Sequence, residues 1–308
     1  MKLSKNNITR TILIMVLVIA FAFTASGCTS NTTDVIKVGS KEFSEQLILG
    51  QITVLALENA GFKVEDKTNI AGSDKVRSAL VKGEIDLYWE YTGTAWLMHL
   101  QNDEPITDSG ECYEKVKTED IKKDLVWLDY APFDNTYTIM MRKSGSEELG
   151  IKTLSDLSAY VNENPNKLVF ATDHEFTARP DGLPALEETY GFRFGDNNLK
   201  TMELGIVYKT LKDEQVELGM GFATDGRIAA FDLVNLVDDK KFFPVYNPSA
   251  VVRKEVLDKN PEMAEILNNI AKKLDTATMT ELNYKVDIEE KDPKEVAEEW
   301  LKAEGLIK

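Results

Sequence analysis

The chain has 308 residues, 43% of them hydrophobic, and carries 36 Lys and Arg against 52 Asp and Glu, a formal net charge of −16. That balance argues against nucleic acid as a partner, because phosphate backbones are held by basic patches, and it favours cationic solutes over anionic ones only mildly. Two cysteines, Cys28 and Cys112, and two histidines, His99 and His174, leave no basis for a disulfide-stapled scaffold or a paired-cysteine zinc site.

In chain order, Lys2, Lys5 and Arg10 form a basic n-region, and Thr11 to Phe23 is an uncharged apolar run. That run has the length of a signal-peptide core and is shorter than the ~20 residues a membrane-spanning helix needs. Ala25-Ser26-Gly27-Cys28 resembles a bacterial lipobox, with Ala25 where the usual residue is Leu. The resemblance implies a signal peptide over 1–27 and a lipidated Cys28 opening a polar tether over 28–34. The protein is then extracytoplasmic and anchored to the cell membrane through its lipid. No later apolar run is long enough to span a bilayer.

From Val35 the pattern alternates strand and helix. Val35 to Gly39 reads as a strand ending at Ser40. Leu47, Ile48, Ile52, Leu55 and Ala56 recur at helical spacing over 45–60, closed by Gly61. Strand candidates at 62–69 and 85–89 flank a helix over 74–82, a βαβαβ opening that argues for an α/β sheet. A similar unit returns later, with a strand over 167–171, a helix over 204–212 and a strand over 216–221. Leu80 to Tyr91 matches Leu211 to Phe222 at a constant offset, with Ile85/Val216, Asp86/Glu217 and Leu87/Leu218 in step. Gly39-Ser40-Lys41-Glu42-Phe43 is likewise similar to Ala171 to Phe176. The repeat predicts two α/β lobes facing a common cleft, since ligands bind beyond the carboxyl ends of such strands. The tail is helical over 261–274, 275–284 and 293–303.

The chemistry of a catalyst is missing: there is no His-Glu-x-x-His, no Walker-type phosphate loop and no Gly-x-Ser-x-Gly elbow. What is present suits a cation that cannot donate a hydrogen bond. A quaternary ammonium is gripped by aromatic faces, each contributing about 0.5–2 kcal/mol when water is excluded. Aromatic residues stand at cleft positions: Tyr88-Trp89-Glu90-Tyr91 after a strand, Tyr137 where the chain leaves the first lobe, Phe222 as the counterpart of Tyr91, and Tyr246 on the return. Alternation sends Trp89 and Tyr91 to one face and Tyr88 to the other. Each ring taken alone is equally well read as core. Arg179 either clamps a ligand carboxylate or pairs with Glu175 one turn earlier. His174 reads as a cleft-rim residue rather than a catalyst.

Four stretches, Val38-Gly39-Ser40-Lys41-Glu42-Phe43-Ser44-Glu45-Gln46, Gly83 to Ala95, Arg179-Pro180-Asp181-Gly182-Leu183-Pro184 and Leu282-Asn283-Tyr284, carry a resemblance to one family. The chain resembles the glycine betaine, carnitine and choline binding proteins of osmoprotectant ABC importers over nearly all of 35–308. The resemblance implies a type II periplasmic-binding-protein-like fold, two α/β lobes joined by two hinge strands with the ligand cleft between them. Lobe 1 is expected over 35–133 plus 245–308 and lobe 2 over 134–244. By motif, Tyr91, Tyr137, Phe222 and Tyr246 fall at the cage positions, and Lys41, Thr94 and Arg179 at positions that hold a carboxylate or bridge the lobes. Glu175 falls at a further cleft position linking the closed lobes. Phe222 departs from the Tyr usual there. Thr94, in place of an acidic residue, ranks betaine-like zwitterions above choline. The resemblance implies no catalysis, cofactor or metal, and a monomer that serves a permease with separate ATPase subunits. Another methylated amine such as ergothioneine, an amino acid, or an enzyme on a similar fold are the alternatives.

Overall fold

The computed structural model describes residues 35–179 and 181–308, so the expected signal peptide, Cys28 and the tether lie outside the described residues. Ten strands make two five-stranded sheets. The first opens with β1 (Ile36–Gly39), helix α1 (Ser44–Asn59), β2 (Val64–Lys67), helix α2 (Ser73–Lys82) and β3 (Leu87–Tyr91). After β4 (Leu125–Tyr130) the chain passes to the second sheet. That sheet holds β5 (Tyr137–Arg142), β6 (Phe170–Thr172), β7 (Leu199–Thr201), helix α3 (Leu204–Lys212) leading to β8 (Leu218–Phe222), and β9 (Leu233–Asn235). It then returns as β10 (Pro248–Arg253) and ends in helices α4 (Thr276–Asp287) and α5 (Pro293–Ala303).

The orders are β2-β1-β3-β10-β4 and β7-β6-β8-β5-β9. In each, the first three strands run parallel, the fourth (β10 or β5) runs against them, and the fifth (β4 or β9) runs with the first three. The expected repeat is therefore a repeat of topology, and β3 and β8 match residue for residue at the predicted offset. Asp86 and Glu217 play one part in both copies. The Asp86 carboxylate accepts the Lys37 N–H at 2.9 Å, and Glu217 accepts the Val169 N–H at 2.8 Å, pinning the start of β1 in one sheet and of β6 in the other.

Both faces of each sheet are covered over the inner strands, so β3, β5, β8 and β10 are buried almost end to end, while the edge strands β2 and β7 are partly exposed. Ile36, Val38, Leu87 and Trp89 pack with Ile48 and Ile52 of α1, and behind α1 lie Leu282 of α4 and Trp300 and Leu301 of α5. Sandwiched this way, α1 buries residues on nearly every side, which explains its weak amphipathicity. Tyr88, Trp127 and Val251 face the opposite core, as the alternation requires. In the second sheet Ile139 and Met141 face Leu157 and Phe170, while Met140 faces Val207 and Tyr208.

Strands β3 and β8 begin two residues later than the patterns predicted. The Ile85 N–H still bonds the Ala79 carbonyl of α2, so the ladder cannot start there. The two crossings between the sheets lie side by side: the Asn135 N–H donates to the Tyr246 carbonyl, and the Asn247 amide to the Phe133 carbonyl at 2.7 Å.

Candidate functional site

In both sheets the carboxyl ends of the parallel strands and the first residues of the central antiparallel strand point into one region. Lys41 follows β1, Tyr91 ends β3, and Thr94 lies in the helical turn after it. Tyr137 begins β5, Phe222 ends β8, and Tyr137 and Phe222 are cross-strand partners. Glu175 sits in the helix His174–Ala178 after β6, and Arg179 caps its end. Tyr246 lies just ahead of β10. All eight of these residues line one cavity of about 1140 Å³.

The rings form a connected wall. Tyr137 lies 4.9 Å from Phe222 and 5.4 Å from Tyr246, the latter edge-on, between centroids. Tyr91 reaches the others through Phe43, 6.3 Å from Tyr91 and 5.3 Å from Phe222. Phe43 stands in a signature stretch but had no role assigned from sequence. Its position supplies the missing signal: it is the N-cap of α1, where a polar side chain would normally accept an N–H, and it makes no cap bond. A ring at that place trades helix stability for the cleft.

The cations at the site are already paired. Lys41 Nζ lies 2.7 Å from Glu90 and 5.1 Å above the Tyr91 ring. Glu90 is fully buried, and it also accepts the Tyr88 hydroxyl and faces His99 Nε2 at 2.9 Å. Burial opposes its ionised form, but Lys41 and His99 more than offset that and hold the carboxyl well below its ordinary range. Arg179 makes a two-pronged pair with Asp181, at 2.8 and 2.6 Å, and a third contact with Glu175 at 3.0 Å. Its guanidinium lies 5.1 Å from the Tyr137 centroid and 5.9 Å from that of Tyr246. Tyr246 donates its hydroxyl to Asp181. The pairing of Glu175 with Arg179 considered from sequence is therefore present, and Asp181 joins it. A ligand carboxylate at Arg179 shares the guanidinium with both. Arg179 Nη2 also reaches Thr94 Oγ1 at 3.5 Å.

Further links join the sides of the cleft. Glu175 accepts the Ser73 hydroxyl at 2.8 Å and the Ser73 N–H at 3.3 Å, placing a carboxylate at the positive end of α2. Burial works against its charge, but Lys41, Arg179 and Ser73 outweigh it, and its pKa is lowered. Another link is Glu45, which sequence reasoning read only as helix and motif. It is buried, accepts the Tyr91 hydroxyl at 2.7 Å and the Thr224 hydroxyl at 2.6 Å, and burial raises its pKa. Asp173, lining the same cavity, is pushed up to about 6 by burial. His174 is exposed on the cavity rim, as expected. Among the described residues no group of three or more His, Cys, Asp or Glu is placed to hold a metal ion, and no helix is long and apolar enough to cross a membrane.

This arrangement can surround a cation with π faces and acidic rim groups.

Known proteins carry the same pattern. A family model described as the substrate binding domain of ABC-type glycine betaine transport system matches residues 34–303. A glycine-betaine-binding protein of Pseudomonas aeruginosa is 39% identical over 279 residues, spanning 89% of this chain and 89% of that protein. The glycine betaine-binding protein YehZ of Escherichia coli is 37% identical over 280 residues, 89% of this chain and 92% of that one. Among solved structures, one described as a glycine betaine/carnitine/choline ABC transporter superposes with a TM-score of 0.72 at 32% identity, covering 88% of this chain and 99% of its own.

Proposed function

We propose, from the premise that this chain belongs to the family of substrate binding domains of ABC-type glycine betaine transport systems, that it captures a quaternary ammonium osmoprotectant, glycine betaine foremost, and delivers it to a membrane permease. The family is one of substrate-binding transport proteins rather than enzymes. The observation that carries the ligand reading is the convergence of Tyr91, Tyr137, Phe222 and Tyr246 from two sheets on one cavity. A trimethylammonium group offers no N–H, so ring faces, not acceptors, decide its binding.

In this reading lobe 1 comprises 35–133 and 245–308 and lobe 2 comprises 134–244. The ligand gains contacts from both sides only when they close, and so shifts the population toward the closed form. Glu175 and Ser73 fasten the mouth. Lys41 sets the Tyr91 ring, and Thr94 with Arg179 receives the carboxylate end. Ahead of 35, residues 1–27 act as a signal peptide and Cys28 carries the lipid that holds the monomer at the outer face of the membrane. Loss of fatty-acid labelling on Cys28→Ser tests that anchor.

The test of the ligand is calorimetry with glycine betaine, proline betaine, carnitine, choline and ergothioneine. Methylated amines are expected to bind and primary amines to fail; binding of primary amino acids alone would overturn the cage. Arg179→Ala leaves Asp181 and Glu175 facing the cleft uncompensated. It is expected to cost betaine at least about tenfold more affinity than choline, the scale of one charge-assisted hydrogen bond. Equal losses would remove Arg179 from carboxylate recognition.

A further inference from the structure

The Glu45 carboxylate is the meeting point of five segments. One oxygen accepts the Tyr91 hydroxyl and the Asn135 amide, at 2.7 and 2.9 Å, and the other accepts the Thr224 hydroxyl and the Asn283 amide, at 2.6 and 3.0 Å. Tyr91 ends β3, Asn135 lies in the first crossing and Asn283 belongs to α4. Thr224 comes from the second sheet, two residues beyond Phe222 at the end of β8. One carboxylate thus ties the hydroxyl of a first-sheet ring to the loop that carries a second-sheet ring. These groups are all buried, at 1–4% exposure, so none of the bonds can be replaced by bulk water while the contact stands.

We propose that Glu45 is a positioning residue that couples lobe closure to the gap between Tyr91 and Phe222, and so sets the width of the cage. The proposal rests on the cage reading above. When the loop after β8 docks, Thr224 completes the carboxylate's shell. When it departs, Glu45 keeps Tyr91 but loses its tie to Phe222. The docking seam fits this role. A Cβ at Gly226 would lie 2.8 Å from Tyr284 Cα, so only glycine lets this loop approach α4. Arg227, paired with Asp225, reaches Asp287 of α4 at 3.4 Å, and Ser44 donates to Asp287. These are the charged groups around Glu45: Asp225, which raises its pKa, with Arg227 and Asp287 beyond.

The experiment is a double-mutant cycle, Tyr91→Phe with Thr224→Val, in the parent and in Glu45→Gln. It is read by calorimetry with glycine betaine and by energy transfer between dyes at Glu58 and Lys200, both exposed. Each single substitution is expected to weaken binding roughly 5- to 30-fold, the cost of a buried hydrogen bond. The double should lose less than the product, and that coupling should vanish in Glu45→Gln. Thr224→Ser, which keeps the hydroxyl, should restore both coupling and affinity. Additive losses in the parent, or an unchanged coupling in Glu45→Gln, overturn the proposal. Should no methylated amine bind at all, the dye distance without ligand still decides. Widening in both Glu45→Gln and Thr224→Val supports the tie, and an unchanged distance removes it.

Discussion

At the end of β3 the chain runs Trp89-Glu90-Tyr91; at the matching end of β8 it runs Met220-Gly221-Phe222. The backbone positions are equivalent, but the chemistry is not. Beneath Tyr91 lies a polar network of Glu90, Lys41, His99 and the Tyr88 hydroxyl. Beneath Phe222 there is no side chain at 221, and Tyr208 and Met140 fill the space. The Tyr208 hydroxyl accepts the Phe222 N–H at 2.9 Å. The residues after the first parallel strands are exchanged in sign too: Lys41 in one lobe, Asp173 in the other, each followed by a ring, Phe43 or Phe176, that enters the aromatic wall. A shared topology therefore fixes where rings arrive. Burial of charge on one side and of apolar bulk on the other decides how firmly each ring is held.

The sharpest way to break this contrast is to remove the cation on the charged side. Lys41→Met leaves Glu90 buried with His99, Tyr88 and the Tyr91 N–H but without its lysine, and is expected to cost roughly 3–5 kcal/mol of stability, the range for breaking a buried pair; denaturant unfolding measures it. A loss under 1 kcal/mol would mean that the network is not held by its cation.

Next comes the apolar side. A Cβ at Gly221 would lie 2.4 Å from Tyr208 Oη and 2.5 Å from Met140 Cε. Gly221→Ala should cost about 1–3 kcal/mol by overpacking, and should weaken ligand binding because it displaces the hydroxyl that fixes Phe222.

A smaller effect follows pH. The folded-state pKa of Asp173 is raised from 3.8 to about 6 by burial. Its neutral form therefore supports the fold: the contribution is complete below pH 3.8 and is lost as pH rises through 6. Asp287, also about 6 through burial, acts in the same direction. Asp173→Asn keeps the cap acceptor to the Phe176 N–H and removes the titration. Its unfolding free energy, followed from pH 4 to 7, should lack about 1–2 kcal/mol of the parent's decline. Parallel curves for the two proteins would exclude Asp173 as a source of that slope.

Phe222→Tyr, which makes the two matching ends alike, is the gentlest change. Ring attraction is retained, so affinity for glycine betaine should move by less than about 1 kcal/mol. A larger shift in calorimetry would mean that the hydroxyl itself meets the ligand or the wall.

The sequence by itself determined the α/β elements and their duplication, because both rest on local order. Period-3.6 and period-2 patterns locate helices and strands, and a strand end followed by a ring marks a cleft position. Strands β3 and β8 were displaced by two residues, since backbone bonds at the end of a helix compete with the ladder. What only the tertiary structure decided is how charges are shared. Glu45 and Thr224 are separated by 179 positions, and Lys41 and Glu90 by 49. Sequence leaves Arg179 between a carboxylate clamp and a pair with Glu175; the fold sets Asp181 against both of its prongs. Buried ionic partners are chosen by proximity in the fold and by the cost of leaving a charge unpaired, and no periodicity along the chain records either.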